Sequence, residues 1–470
     1  PLMYVNGFRG QVYSTSATAQ LCEIMLRDSA HIQMFEAEWR NRKAARSGGK
    51  LKEFVPLYDM DAAVNVCKQF VGCEYDRVYD IAEGIKIRFT DVGHLLGSAS
   101  IEVWATEKTE NGDVTEKIVF SGDIGNINKP IIKDPKHVRD ADYVVMESTY
   151  GNRSHGGTPN YVEDLTDIFK RTFERGGNVV IPSFAVGRTQ ELLYIIRKIK
   201  EDNLVGRDFD VYMDSPLAIE ATNIFIKNVE SCFDDDAVEL VRKGINPLSF
   251  PGLKYATTGD ESKQINFDPN PKVIISSSGM CEAGRIRHHL KHNLWRPECT
   301  IVFVGYQAVG TTGRIIVDGA EEIKLFGEPI QIKAEIVQLK GSSGHADKDG
   351  LLCWINAFDT KPKKVFVVHG EDSVCDEFTE CLKEEYGYDA MAPYTGGSYD
   401  LIADRVISEG VKERKTRRTT STQRGKTVFD RLVAAGKRLM TVITHNEGGT
   451  NKDLAKFTDQ INALCDKWDR

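Results

Sequence analysis

No run in this 470-residue chain is long and apolar enough to cross a bilayer, and no basic-then-apolar leader is recognisable. A membrane-spanning protein is therefore not expected, and a soluble one is. Cysteine is thinly used: the 10 residues are scattered without a Cys-x-x-Cys pair, which excludes a zinc knuckle or a disulfide framework and predicts reduced thiols in a cytoplasm. An excess of positive charge is also missing, since 61 Lys and Arg face 69 Asp and Glu for a net −8. A broad nonspecific nucleic-acid binder is disfavoured, although the local potential of a cleft matters more than the total. Regular repeats and low-complexity tracts are few. What remains is an ordinary globular composition, 41% apolar and 28% charged, long enough for two or three domains with substantial cores.

Short β-branched runs at Lys117 to Ser121, Tyr143 to Met146, Val179 to Ile181, Val273 to Ser276, Ile301 to Val304 and Val365 to Val368 each stop at glycine or small polar residues. That is the pattern of buried strands. Helical spacing separates them, most clearly over Thr189 to Lys200, where Leu192, Leu193, Ile196 and Ile199 share a face. The alternation predicts α/β layers. A basic, Thr- and Ser-rich stretch from Lys412 to Lys426 reads as a solvated linker, and Val428 to Met440 and Leu454 to Trp468 as a small helical tail.

Acidic and histidine residues fall just after these strands. His94 lies in Asp91-Val-Gly-His-Leu-Leu-Gly-Ser-Ala-Ser100, Asp123 ends Ile118-Val-Phe-Ser-Gly-Asp, and His369 follows Val365-Phe-Val-Val. Glu147 and His345 add a candidate acid/base pair. Neutral imidazole and carboxylate are good zinc ligands, and a bridging carboxylate holds two ions close together. Taken singly, each such histidine is more often structural; the ensemble points to zinc-dependent hydrolysis. Ser276-Ser277-Ser278-Gly279-Met280 follows a strand and offers hydroxyls and N–H groups to a phosphate, while Arg188, Arg285, Arg287 and Arg314 lie in or beside glycine-containing loops suited to a phosphate backbone. Gly305-Tyr-Gln-Ala-Val-Gly-Thr-Thr312 lacks the lysine of a phosphate-binding P-loop, which disfavours nucleotide hydrolysis. His288, His289 and His292 have helical spacing but are flanked by Arg285, Arg287 and Lys291. Repulsion of a cation by these neighbours predicts a basic helix near RNA, or plain surface exposure, rather than a metal site.

From Gly7 to about Ile402 the sequence resembles the metallo-β-lactamase-fold nucleases of the β-CASP group, which process RNA. The His94 and Asp123 segments resemble the family's third and fourth metal motifs, and Glu147-Ser-Thr-Tyr-Gly151, Ser343-Gly-His-Ala-Asp347 and Val368-His-Gly-Glu371 its three β-CASP motifs. The resemblance implies His94, Asp123 and His369 as metal ligands, with Asp123 bridging. It implies His345 as general acid, oriented by Glu147, and two Zn2+ per intact site. A histidine at position 369 marks the RNA-acting branch, so the implied partner is RNA. With the arginines and the Ser276 to Gly279 loop, a single-strand channel is expected.

The family's main metal motif, His-x-His-x-Asp-His, is absent from this sequence. The chain is accordingly expected to be a fragment that binds zinc poorly and does not catalyse. The expected fold is α/β: a metallo-β-lactamase αββα sandwich, incomplete at the N-terminus, formed by residues 1–151 and 340–405, with an inserted β-CASP α/β domain at 152–339. The tail at 406–470 is a candidate for RNA contact or for self-association as a homodimer. Two other function classes stand beside the ribonuclease. One is a noncatalytic RNA-binding or scaffold subunit. The other is a small-ester or thioester hydrolase, disfavoured because such enzymes lack the insert.

Overall fold

The computed structural model describes residues 1–46, 53–110, 112–156, 160–339, 343–412, scattered positions between 436 and 446, and 451–468. Two compact units divide the chain, Pro1–Gly410 and Val411–Arg470. In chain order the strands of the first unit are β1 (Val12–Thr15), β2 (Phe70–Cys73), β3 (Val78–Ala82), β4 (Ile85–Asp91), β5 (Ala99–Thr109), β6 (Gly112–Phe120), β7 (Tyr143–Glu147), β8 (Val179–Pro182), β9 (Asp210–Asp214), β10 (Leu253–Tyr255), β11 (Lys272–Ser276), β12 (Thr300–Phe303), β13 (Glu322–Leu325), β14 (Glu328–Gln331), β15 (Glu335–Gln338), β16 (Lys364–Val368), β17 (Ala390–Met391), β18 (Ser398–Asp400) and β19 (Arg405–Ser408).

One sheet has the order β17-β16-β7-β6-β5-β4-β3. Its first half, β3 to β6, is an antiparallel meander, after which β6, β7, β16 and β17 run parallel. The chain leaves this sheet at Glu147 and re-enters it at Lys364 as the direct neighbour of β7, in the register Tyr143↔Lys364 to Glu147↔Val368. Between those points it builds a second, six-stranded sheet of order β10-β9-β11-β8-β12-β15, parallel throughout. Parallel pairs need crossovers, supplied by helices such as Tyr161–Glu174, Arg188–Glu201 and Pro216–Lys227. The helices cover both faces, so the strands are apolar on both. Val179, Ile181, Val273 and Ile275 join one core cluster, and the alternate residues Val180 and Ile274 join another.

The architecture is the expected α/β arrangement with an inserted α/β unit. Among the described residues, the second layer of the sandwich is the parallel pair β1–β2, whose Tyr13, Val71 and Cys73 pack with Ile87 and Phe89 of β4. The first unit extends to Gly410, and near its end β19 pairs with β18. Residues 413–426 of the expected linker lie outside the described residues, as does most of Val428 to Met440. The helix expected from Leu454 is present as Asn451–Trp468.

The histidine-rich segment requires a correction. It forms the helix Ile286–Asn293, but His289 is fully buried rather than RNA-facing or exposed. Its Nε2 lies 2.6 Å from Asp214 Oδ2 and its Nδ1 3.0 Å from Asn266 Oδ1. Asp214, at the end of β9, also accepts from Ser262 Oγ at 2.5 Å and Arg285 Nη1 at 2.7 Å. Burial alone would raise the Asp214 pKa, but the His289, Ser262 and Arg285 hydrogen bonds outweigh it and hold the carboxylate ionised below its ordinary value. This network ties β9 to two helices. Replacing Asp214 by Ala strands buried partners, so unfolding in urea is expected to show a loss of about 3–5 kcal/mol; an unchanged midpoint would remove the network from the stabilising framework.

Candidate metal centre and cleft

The centre begins with three loops that leave strand ends and approach one another closely. After β4, Asp91 Oδ1 accepts the Gly93 N–H at 2.9 Å, and the Ser98 hydroxyl accepts the N–H groups of His94 and Leu95 at 3.0 and 3.2 Å. Gly93 takes φ +63°, a conformation that glycine adopts without a Cβ penalty. The loop after β6 crosses directly over it. A Cβ on Gly125 would stand 2.0 Å from the Gly93 carbonyl oxygen, so glycine is required there and the Gly125 N–H reaches Val92 O at 2.8 Å. On the other side, Asn126 N–H donates to Gly344 O at 3.1 Å and Ala346 N–H to Ile124 O at 2.8 Å, which fixes the His345 loop.

These loops, with the end of β16, gather three histidines and Asp123, four of the five expected residues. His94 Nε2 is 4.0 Å from Asp123 Oδ2, and His369 Nδ1 is 3.6 Å from Asp123 Oδ1. The His94 and His345 rings stand 4.4 Å apart between centroids, and those of His345 and His369 5.9 Å. The fifth residue, Glu147, is buried at the end of β7 and both its oxygens lie 3.1 Å from His345 Nδ1. Glu147 also accepts the N–H of Ile124 at 2.5 Å and of Thr149 at 3.3 Å. With Nδ1 engaged by a carboxylate, the other ring nitrogen of His345 is left for chemistry.

The electrostatics separate the two histidines. Burial, with the nearby charges of His345 and Lys129, pushes His94 down to about 4, so it is a neutral imidazole. Among the described residues its buried Nδ1 has no hydrogen-bond partner. Burial also opposes charge on His345, yet the hydrogen bond and charge of Glu147, with Asp123 behind, outweigh it and raise the pKa above the ordinary histidine value. Burial likewise opposes charge on Glu147, but His345 together with the hydrogen bonds from Thr149 and the Ile124 N–H outweighs it and lowers the carboxyl pKa.

His94 and Asp123 are the donors here that suit a divalent ion. His94, Asp123 and His345 each offer a ligand atom within 4.8 Å of the other two, and a neutral imidazole beside a carboxylate suits zinc chemistry. The three-donor group among the described residues thus includes His345, expected as an acid, while His369 stands on the opposite oxygen of Asp123.

The cleft above the centre, about 1970 Å³, is lined by His94 and His345 together with Arg188, Ser277, Ser278 and Arg285. Ser276, Gly279 and Arg314 do not line it. Ser276 is buried and donates to Asp214 O at 2.8 Å, Gly279 O accepts from Gln307, and Arg314 pairs with Asp318 at 2.8 Å. Arg285 is largely spent on Asp214 and on the carbonyls of Ala256 and Thr257.

Comparison with known proteins adds an independent line. A β-CASP domain model matches residues 189–316, and the model of a Zn-dependent metallo-hydrolase RNA specificity domain matches 329–393. Ribonuclease TTHA0252 of Thermus thermophilus is 32% identical over 372 residues, which cover 79% of this chain and 78% of that protein. The chain belongs to the metallo-β-lactamase β-CASP nuclease family. Further relatives of this β-CASP chain are transcription termination factor FttA of Methanosarcina mazei, 31% identical over 83% of this chain and 59% of that one, and an RNase J-like protein of Methanocaldococcus jannaschii, 35% identical over 62% and 65%. The chain spans less than two thirds of the length of these two.

Sequence reasoning missed the clamp that joins the β-CASP insert to the metal loop. Lys129 Nζ donates to His94 O at 2.9 Å and pairs with Glu191 Oε1 at 3.2 Å, while Glu191 Oε2 meets Arg188 Nη1 at 2.6 Å. Beside it, Gly187 leaves room for Leu95, whose Cδ2 would lie 2.4 Å from a Cβ there. Lysine after a glycine-rich loop carries no signal, and Glu191 stood only within the helical spacing of Thr189 to Lys200. Lys129→Met keeps the stem and removes the charge, leaving buried Glu191 with one partner fewer. The expected loss is about 1–3 kcal/mol in urea unfolding, and an unchanged stability would show the clamp to be redundant with Arg188.

Proposed function

We propose that this chain carries the acid/base and strand-holding part of a zinc-dependent ribonuclease that hydrolyses RNA phosphodiester bonds. The observation that carries the reading is the Glu147–His345 pair set beside His94 and Asp123. His94, Asp123 and His369 would hold the metal. Bound zinc polarises phosphate oxygens and makes water nucleophilic near neutral pH. His345, charged through its contact with Glu147, protonates the departing sugar oxygen; Glu147 fixes the proton on Nδ1 and orients the ring. Arg188, Ser277 and Ser278 line the approach for the phosphate backbone of a single strand.

Three or four donors among the described residues are too few for two ions, so this chain is proposed to hold zinc weakly and to turn over poorly. The names of the relatives, a ribonuclease and an RNase J-like protein, support the nuclease over a small-ester hydrolase. FttA, named a transcription termination factor, keeps the noncatalytic RNA-binding or scaffold reading as the second one. Ten free cysteines, none in a disulfide, support a reducing, cytoplasmic location, and among the described residues no helix is long and apolar enough to cross a membrane.

The test compares this chain with a version supplied with an upstream His-x-His-x-Asp-His segment. The supplied form is expected to hold about two zinc ions and to cleave single-stranded RNA. Its His345→Ala variant is expected to keep the zinc but lose cleavage by about 10²–10⁴-fold. Retained turnover would overturn the acid assignment, and loss of zinc would make His345 a ligand. Strong RNA binding without cleavage in the supplied form would select the scaffold reading.

A further inference from the structure

The helix Ser16–Arg46 is 31 residues long and buries Leu21, Ala30 and Ala37. On a different face it exposes Met25 (44%), Ile32 (41%), Phe35 (58%) and Trp39 (53%), whose spacing stacks them along one stripe. Lys43 continues the stripe, its ammonium 5.1 Å from the centre of the Trp39 ring. All five residues line the cleft that holds His94 and His345. From Met25 to Trp39 the stripe extends roughly 21 Å at about 1.5 Å per residue. Other cleft-lining residues repeat the theme: Phe326, at the β13–β14 turn, is 47% exposed, stacks on His288 at 4.4 Å and has the Arg287 guanidinium 4.9 Å from its ring centre. Two carboxylates, Asp28 and Glu36, also line the helix wall, and Glu36 is paired with Arg40 at 3.4 Å.

We propose that the outer half of this helix is a stacking rail for unpaired bases of an RNA strand that continues out of the cleft, with Phe35 and Trp39 as platforms and Lys43 on the backbone. The proposal rests on the ribonuclease reading and adds a subsite to it. Exposed aromatic faces beside cations are what single strands use, since every base has a π-face and every linkage a charge. A second copy or a protein segment would also cover an apolar stripe. The continuity of this stripe with the cleft, and the cation over its most exposed end, favour the nucleic acid.

The experiment measures binding of a short and a long oligouridylate to the full chain, without turnover, for the wild type, Phe35→Ala/Trp39→Ala, Trp39→Phe and Lys43→Ala. The side chains are exposed, so an unchanged urea midpoint is expected for each variant. The double variant is expected to weaken the long oligomer by about tenfold or more and leave the short one unchanged, with Trp39→Phe restoring most of the loss. Lys43→Ala is expected to reduce the salt dependence of the long oligomer only. Tryptophan emission of the wild type is expected to be quenched by the long oligomer and that of Trp39→Phe to respond less. Equal long-oligomer affinity across wild type and variants overturns the rail and leaves the ribonuclease reading standing. A double variant that changes sedimentation but not RNA affinity overturns it in favour of a second copy. A wild type that binds neither oligomer overturns both.

Discussion

Parallel pairing of β7 with β16 sets Glu147 opposite Val368, and the centre depends on that register. A one-residue slip would turn every side chain of the incoming strand to the other face. It would also move His369 away from Asp123 and Thr149, where it now sits with φ +51° at the strand end. The two strands of this pair are largely buried, and apart from Glu147 they carry no chemistry themselves. Their role is to deliver loop residues to fixed points, which is how a rigid sheet preorganises a site.

Around that register the loops interlock through backbone rather than side chains. Gly125 lies against Gly93, and the carbonyls of Ile124 and Gly344 accept hydrogen bonds from Ala346 and Asn126. Close backbone approach leaves few ways for the loops to shift independently. The helix Lys348–Ile355 adds a further tie: Asp347 caps it through Gly350 at 3.0 Å and holds the His155 N–H with its other oxygen at 3.0 Å. His155 in turn places its Nε2 3.1 Å from the His345 carbonyl.

The parts of this arrangement that were legible in sequence share a physical cause. β7, β8, β11, β12 and β16 are short and β-branched because both their faces are buried, and they stand where those runs predicted. The meander β3 to β5 was missed because its strands are half exposed: β3 alternates exposed and intermediate positions and carries Tyr79 and Ile81 amid charge. The helix Ser16–Arg46 was missed because most of its positions are polar and its apolar residues are split between two faces. At the site, His94, Asp123 and His369 stand just after β4, β6 and β16 and Glu147 ends β7, where the expected runs stop, whereas His345 lies further from β15 and was singled out by its motif. Ser276 and Arg285 were read from residue type alone. What consumes them is Asp214, distant in sequence, through its carbonyl and its carboxylate. A single sequence shows which groups are present and hides which are already occupied.

The insertion of a whole sheet between two neighbouring strands has a kinetic consequence. β7 is synthesised well before its partner β16, and the pair closes only after the intervening parallel sheet has drawn its own ends together. Contacts of such long sequence separation carry a large loop-closure entropy and form late. Until then β7 has an open edge on that side, a condition that invites wrong pairing or aggregation. Collapse of the insert shortens the effective loop that the β7–β16 pairing has to close. The residues best placed for chemistry sit at this long-range closure, so their meeting requires the insert to have brought its ends together.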